Sequence, residues 1–370
     1  MNFNNNKRAF LILSRHFLKH TQEAIALADT AGYEIVGIKK FRGGRRLTDG
    51  LIKIIKKNME DKDFNTIIYY GDIEPSSVFK LEKETKLKVV DRVQLILEIF
   101  ALHAGSKEAL LQIEMARIKH ELPLIREYIR RSKLGELAGY LGSGRYGIDT
   151  YRKQQTSRLA KIKEELEELR EMEHDRLVRR KKMGMISVPI VGYASAGKTS
   201  LFNSITGESK PVGPEYFTTL FPKHKMIGYD GLKIVFADTV GFIKDVPPEV
   251  IEAFYSTLEE VSLSDIIIFV IDVSESIETI KEKIIAGAII LRKLNVMGKP
   301  IVVALNKIDE INKEIIKNKI DEINKEIIKI KPDASLVLIS ASKKIGIEDL
   351  LKEVRNIARN QWSRETSEAI

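Results

Sequence analysis

Residues 185–207 read MISVPIVGYASAGKTSLFNSITG. The opening MISVPIVGY is an apolar run of strand length, and TSLFNSITG reads as a helix that stops on a glycine. Between them, Gly192 to Thr199 spell G-x-x-x-x-G-K-T. A strand, a glycine-bounded turn and a helix are what a phosphate-cradling loop needs. The glycines let the backbone turn tightly and aim its N–H groups at a diphosphate, and the helix N-terminus adds its positive end. The binding candidates are therefore Gly192, Tyr193, Ala194, Ser195, Ala196, Gly197, Lys198, Thr199 and Ser200. Lys198 would reach the β- and γ-phosphates, and Thr199 would ligate Mg²⁺.

Three further motifs follow in order, each at the end of an apolar run. DTVG at 238–241 would let Asp238 hold Mg²⁺ through water and let the Gly241 N–H sense the γ-phosphate. NKID at 306–309 contributes Asn306, Lys307 and Asp309; the Asp309 carboxylate would accept from guanine N1–H and its exocyclic amine, a donor pair adenine lacks. SAS at 340–342 would bring backbone N–H groups of Ser340, Ala341 and Ser342 to guanine O6. GTP and GDP are the implied ligands, with Mg²⁺ as cofactor. Between the first two motifs, EYFTTLFP offers Thr219 as the residue that binds Mg²⁺ when the γ-phosphate is present, with Thr218 as the alternative. Lys198, Thr219 and Gly241 form the expected catalytic set.

Elsewhere the chain divides by pattern. From Arg8 to about Ala104, the strand-like RAFLIL, YEIVGIKKF, NTIIYYGD and KLKVVD alternate with the helical TQEAIALADTAG and GLIKIIKKNME, which predicts a small parallel α/β domain over 1–104. Over 105–182 strand signals vanish. Two apolar stripes, Leu111 to Ile129 and Leu159 to Leu169, predict an antiparallel helical hairpin whose tip is GELAGYLGSGRYGIDT. Strands and helices alternate again over 183–358, and 359–370 reads as a tail. The nonapeptide DEINKEIIK occurs at 309–317 and at 321–329, a twelve-residue period that suggests a tandem extension of a surface helix.

The 370 residues contain no cysteine, which excludes disulfides, thiolate metal sites and cysteine nucleophiles. No signal peptide or membrane-length apolar run is evident, so a cytoplasmic protein without a membrane partner is expected, and a monomer is the expected state. The net charge of +9 favours an anionic partner such as nucleic acid over the alternative, the charged surface of a heat-adapted protein. Arg145, Tyr146, Tyr151, Arg152 and Lys153, at and after the hairpin tip, offer the charge and stacking surfaces that RNA binding uses.

Together these segments resemble the HflX family of translational GTPases. The resemblance rests on DTVGFIKDVPPEVIEAFYSTLEEVSLSD, on FTTLFP, and on VVDRVQLILEIFALHAGSKEALLQIEMARIKHELP, and it spans most of the chain. It implies an N-terminal α/β domain, a coiled-coil hairpin and a C-terminal Ras-like P-loop GTPase domain. It also implies binding to the large ribosomal subunit and its rRNA, with a role in splitting or rescuing stalled ribosomes. The sequence departs from the family's GPGETQLE-like stretch, having GSGRYGIDTYRKQQ, and has Ser195 where many members carry the asparagine linked to potassium-assisted hydrolysis. Phe242 stands where Ras-like proteins place a water-orienting glutamine, so intrinsic hydrolysis is expected to be slow; the competing reading is a plain core phenylalanine. Two other functions use the same features: a GTP-dependent RNA-binding or ribosome-assembly factor, and a signalling GTPase whose hairpin binds a protein helix.

Overall fold

The computed structural model describes residues 7–135, 144–208, 223–229, 231–239, 241–242 and 261–368, without the side chains at 144–147, 173–174, 177–178, 181–182, 313–315 and 361–368. The chain forms two compact units, one of residues 1–167 with 247–253 and the other of 168–246 with 254–370. No helix among the described residues is long and apolar enough to cross a membrane.

In the first unit, β1 (Lys7–Leu13), β2 (Tyr33–Lys40), β3 (Thr66–Tyr70) and β4 (Lys88–Asp91) pair in parallel in the order β2-β1-β3-β4. The helices are α1 (Thr21–Thr30), α2 (Asp49–Asp61), α3 (Pro75–Thr85) and α4 (Arg92–His103). Every residue of β3 is buried, as an inner strand of a parallel sheet with helices on its faces requires. Phe10, Ile12, Ile55, Ile67 and Leu81 form part of the core. Gly37 of β2 gives the Phe10 ring its place, because a Cβ there would lie 2.6 Å from a ring carbon.

Two long helices belong to the middle of the chain, α5 (Lys107–Lys133) and α6 (Gly144–Lys182). Ser106 caps α5 by accepting from Ala109 N at 3.2 Å, and the helix runs on through Pro123. As the α5 partner moves from Lys107 to Glu114 to Glu121, the α6 partner moves back from Glu165 to Arg158 to Tyr151, so the two helices are antiparallel. The fork of Arg158 on Glu114, at 2.8 and 2.7 Å, fixes that register. Helix α6 begins inside the segment expected as the tip. After Gly144 only Gly147 weakens the run, and the Asp149–Arg152 pair at 3.8 Å supports its first turns.

The second unit is a six-stranded sheet of β5 (Met185–Gly192), β6 (Lys223–Tyr229), β7 (Leu232–Asp238), β8 (Ile267–Asp272), β9 (Ile301–Asn306) and β10 (Ser335–Leu338), in the order β10-β9-β8-β5-β7-β6. Its helices include α7 (Lys198–Thr206), α8 (Ile277–Lys293), α9 (Lys313–Ile330) and α10 (Ile347–Glu368). Phe202, Phe236, Ile268, Val302 and Leu350 lie at the centre of its core. From β5 the chain passes to β7 on one side, whereas β8 lies on the other. The reversal between β5 and β8 opens a crevice at their C-terminal ends, where sheets of this kind bind ligands.

Three features here differ from the sequence expectation. Strand β6 is antiparallel to β7 and was not foreseen: KHKMIGY lies at the sheet edge, mostly exposed, and carries no apolar alternation to announce a strand. Helix α10 continues to Glu368 through the expected tail, since no glycine or proline interrupts 359–368. The two DEINKEIIK copies adopt different structures. The second is wholly helical within α9, whereas the first begins in a 3₁₀ turn at Ile308–Glu310 and becomes helical only from Lys313.

Replacing Phe236, fully buried on β7, with alanine is expected to cost about 3–5 kcal/mol of stability by leaving a cavity, measured by denaturant unfolding of the intact chain.

Candidate nucleotide-binding site

The G-x-x-x-x-G-K-T segment folds as its glycines demand. Gly192, the last residue of β5, has φ +150°, and a Cβ there would lie 2.4 Å from Val270 O of β8. Gly197 has φ +92°, and a Cβ there would meet Asn306 Nδ2 at 2.2 Å. Both positions are closed to side chains by conformation and by space. Ser195 also adopts positive φ, +63°, with its side chain exposed. The turn runs directly into α7, whose first two residues are Lys198 and Thr199, with Ser200 next.

Lys198 is buried and bonds the loop's own Tyr193 O at 2.8 Å. Burial pushes its ammonium down to about 8; Asp238 opposes that shift, and Lys283 of α8 adds to it. Asp238 is fully buried at the end of β7. Thr239 follows it, its hydroxyl donating to Ile190 O at 2.7 Å and tying this strand end to β5. Lysine, buried carboxylate and first-turn threonine thus converge on the mouth of one turn.

The loops after β9 and β10 join the same rim through one amide. Asn306 Nδ2 donates to Ala196 O at 2.8 Å, while Asn306 Oδ1 accepts from Ala341 N at 2.9 Å. Lys307, at φ +67°, sends its ammonium 2.5 Å from Asp272 Oδ2 at the end of β8. Asp309 stands exposed in the 3₁₀ turn, its carboxyl held below the usual carboxylate range mainly by the Ser340 hydroxyl. Ser342 Oγ adds a contact at 3.4 Å. Ser204 of α7 donates to Ala341 O at 2.6 Å, locking this loop to the helix after the phosphate turn.

Comparison with known proteins places the arrangement. The profile of 50S ribosome-binding GTPases matches residues 187–307, that of the GTP-binding GTPase middle region matches 103–181, and that of the GTP-binding GTPase N-terminal region matches 19–101. GTPase HflX of Hyperthermus butylicus is 45% identical over 359 residues, covering 95% of this chain and 96% of its own. The chain belongs to the HflX family of GTPases. GTPase HflX of Saccharolobus solfataricus is 39% identical, covering 95% of this chain and 99% of its own. A crystal structure of a GTP-binding protein from Sulfolobus solfataricus in complex with GDP superposes with a TM-score of 0.53 at 34% identity, covering 96% of this chain and 99% of that one. The SsGBP and GDP complex gives 0.57 over the same shares. As an HflX GTPase, the protein binds GTP and hydrolyses it to GDP and phosphate.

The structure brings together in this HflX protein the residues read from its four motifs, from Gly192–Ser200 to Asp238, Gly241, Asn306, Lys307, Asp309 and Ser340–Ser342. Thr218 and Thr219 lie outside the described residues. Arg145 and Tyr146 lie within α6 but their side chains are not described, whereas Tyr151, Arg152 and Lys153 are exposed on its early turns. Phe242 is buried, edge-on to Tyr193 with ring centroids 6.3 Å apart. Sequence reasoning missed Lys283, whose ammonium lies 5.4 Å from the Tyr193 ring centroid and 2.5 Å from Glu275 Oε1. It also missed Asp272, the partner of Lys307. Neither bears a motif, and Lys283, the seventh residue of the seventeen-residue α8, looks like any surface lysine until the fold brings it to Tyr193.

The position of Lys198 gives binding a pH dependence. Its ammonium must be protonated to meet phosphate, so affinity for GDP is expected to be flat below pH ~8 and to fall as pH rises above it, measured by fluorescent-nucleotide titration.

Proposed function

We propose that this GTPase engages the large ribosomal subunit in its GTP state and leaves it after hydrolysis, acting to split or rescue stalled ribosomes. The observation that carries the reading is the four-motif rim on a domain whose sequence matches the 50S ribosome-binding GTPase profile over residues 187–307. The exposed Tyr151, Arg152 and Lys153 on α6 offer charge and stacking surface suited to rRNA phosphates and bases, and the sequence adds Arg145 and Tyr146, whose side chains are not described.

Within the rim, the loop amides and Lys198 bind the phosphates, and Asp309 reads guanine. Mg²⁺ fits the donor set: Thr199 offers a hydroxyl from the first turn of α7, and the buried Asp238 carboxylate lies where a hard cation's water shell can be held. Thr219 completes that set in the triphosphate state. The ion would neutralise charge on the β- and γ-phosphates. Phe242, packed against Tyr193, offers no group to orient the attacking water, so intrinsic turnover is slow and the water is positioned when the ribosome is bound.

Asp309→Asn is expected to move preference from GTP toward xanthosine triphosphate, and Lys198→Ala to abolish useful binding of either; unchanged GTP affinity in both would end the assignment of this rim. Adding cognate large ribosomal subunits is expected to raise the hydrolysis rate at least tenfold, with the stimulation lost steeply as salt increases, as phosphate contacts require. A flat response would remove the ribosomal role and leave the GTPase.

A further inference from the structure

The loop after β8 is held from three sides. Asp272, the last residue of that strand, pairs in register with Asn306 of β9, and Val273 N donates to Asn306 O at 3.0 Å. Ser274 closes a turn on the Asp272 side chain: its N–H and its hydroxyl both donate to Oδ1, at 2.9 and 2.6 Å. From α9, the Lys319 ammonium donates to Val273 O at 3.1 Å and to Glu275 O at 2.6 Å.

With Oδ1 so committed, Asp272 Oδ2 is left to Lys307, whose ammonium lies 2.5 Å away and has no other partner among the described residues. The carboxylate side chain is 8% exposed and the lysine side chain 26%, so the pair is mostly covered and its geometry is fixed by a charge-assisted bond. Lys307 stands between two parts of the rim with set tasks. On one side is Asn306, which clasps the phosphate loop and the loop after β10; on the other is the 3₁₀ turn that carries Asp309. A lysine there has a flexible four-carbon stem and many directions open to its charge. The ion pair selects one of them, with the charge drawn to the end of β8 and the stem laid across the two strand ends.

We infer that Asp272 is a positioning residue for guanine nucleotide: it holds the Lys307 side chain in one pose before the nucleotide arrives, and Lys319 steadies the loop from which Asp272 acts. The inference rests on the assignment of this rim as the GTP site. Ordering a rotamer-rich side chain on binding costs affinity, and a partner that orders it beforehand removes that cost. Asp272 need touch no part of the nucleotide to do this. Lys319 extends the arrangement to a surface helix, since it lies among the three residues between the two DEINKEIIK copies. The repeat-built helix α9 thereby reaches a loop that supports the base end of the site.

The test is a double-mutant cycle on the full-length protein, read as GDP affinity by fluorescent-nucleotide titration. Asp272→Asn keeps the shape of the side chain and an oxygen for Ser274 while removing the charge. It is expected to weaken GDP binding about three- to tenfold, the worth of ordering one long side chain. Lys307→Met keeps a stem but leaves no ammonium to position, and in that background adding Asp272→Asn is expected to change affinity by less than about twofold. A loss that comes only from a damaged loop would carry over undiminished into that background and would overturn the inference. Unchanged or tighter GDP binding in Asp272→Asn alone would overturn it too, the latter by showing that the pair withholds the lysine from the nucleotide. Lys319→Met leaves the pair itself intact and is expected to weaken binding by a smaller factor, which Lys307→Met again cancels. Should Asp272→Asn fail to fold, that second cycle decides, and a loss that Lys307→Met does not cancel overturns the inference. If the wild-type protein binds no GDP, the rim assignment falls and the role of Asp272 with it.

Discussion

One carboxamide holds the nucleotide rim together. Asn306 leaves β9 with both ends of its side chain committed, the nitrogen to Ala196 O in the phosphate loop and the oxygen to Ala341 N in the loop after β10. Both bonds are buried, so a break at either end would leave a polar group without water, at a cost of about 1–3 kcal/mol. The same side chain lies where a Cβ on Gly197 would go, so the loop can pass beneath it only as glycine. Phosphate recognition and base recognition, which come from different strands, are thus tied to each other by this side chain, with Ser204 adding a second tie to Ala341 O.

Around that frame two ionisable groups stand in different surroundings. Lys198 is buried deeply enough to lose part of its affinity for a proton, and Asp238 only partly compensates. A buried ammonium held this way, bonded to Tyr193 O and facing Asp238, is stabilised further by an anion, and the anion it favours is one that can enter a turn lined with amides. Asp309, in contrast, stays in solvent with its carboxyl kept ionised by serine hydroxyls, ready to accept hydrogen bonds. Of the two groups, Asp309 is pushed toward the charged form its task needs, whereas burial pushes Lys198 away from it and leaves its charge dependent on pH.

Much of this could be read from residues in order, and the reasons for the remainder are specific. The motifs were legible because each is a local solution: a glycine where the backbone must take positive φ, a carboxylate at a strand end. Strand β6 was not, since an exposed edge strand such as KHKMIGY is held by its neighbour's hydrogen bonds and needs no apolar face of its own. The repeated nonapeptide makes the same point more sharply. Identical residues form a helix at 321–329, yet at 309 the chain is diverted into a 3₁₀ turn by Lys307 at positive φ and by Ile308 N bonding Ile339 O. Local preference is overruled there by the pairing of two strand-end loops. Lys283 and the Asp272–Lys307 pair were invisible for a related reason, as both depend on which elements become neighbours.

The bond from Asn306 to Ala196 spans 110 residues of chain, and the steric wall that shapes Gly192 is a carbonyl on β8. A half-made polypeptide that has released β5 but not yet β9 therefore possesses the phosphate motif without possessing a pocket. Guanine nucleotide in the cell would bind only chains whose sheet is finished, and by mass action it would draw newly synthesised molecules toward that finished state. The ligand that powers the protein would thereby also serve as the inspector of its biosynthesis.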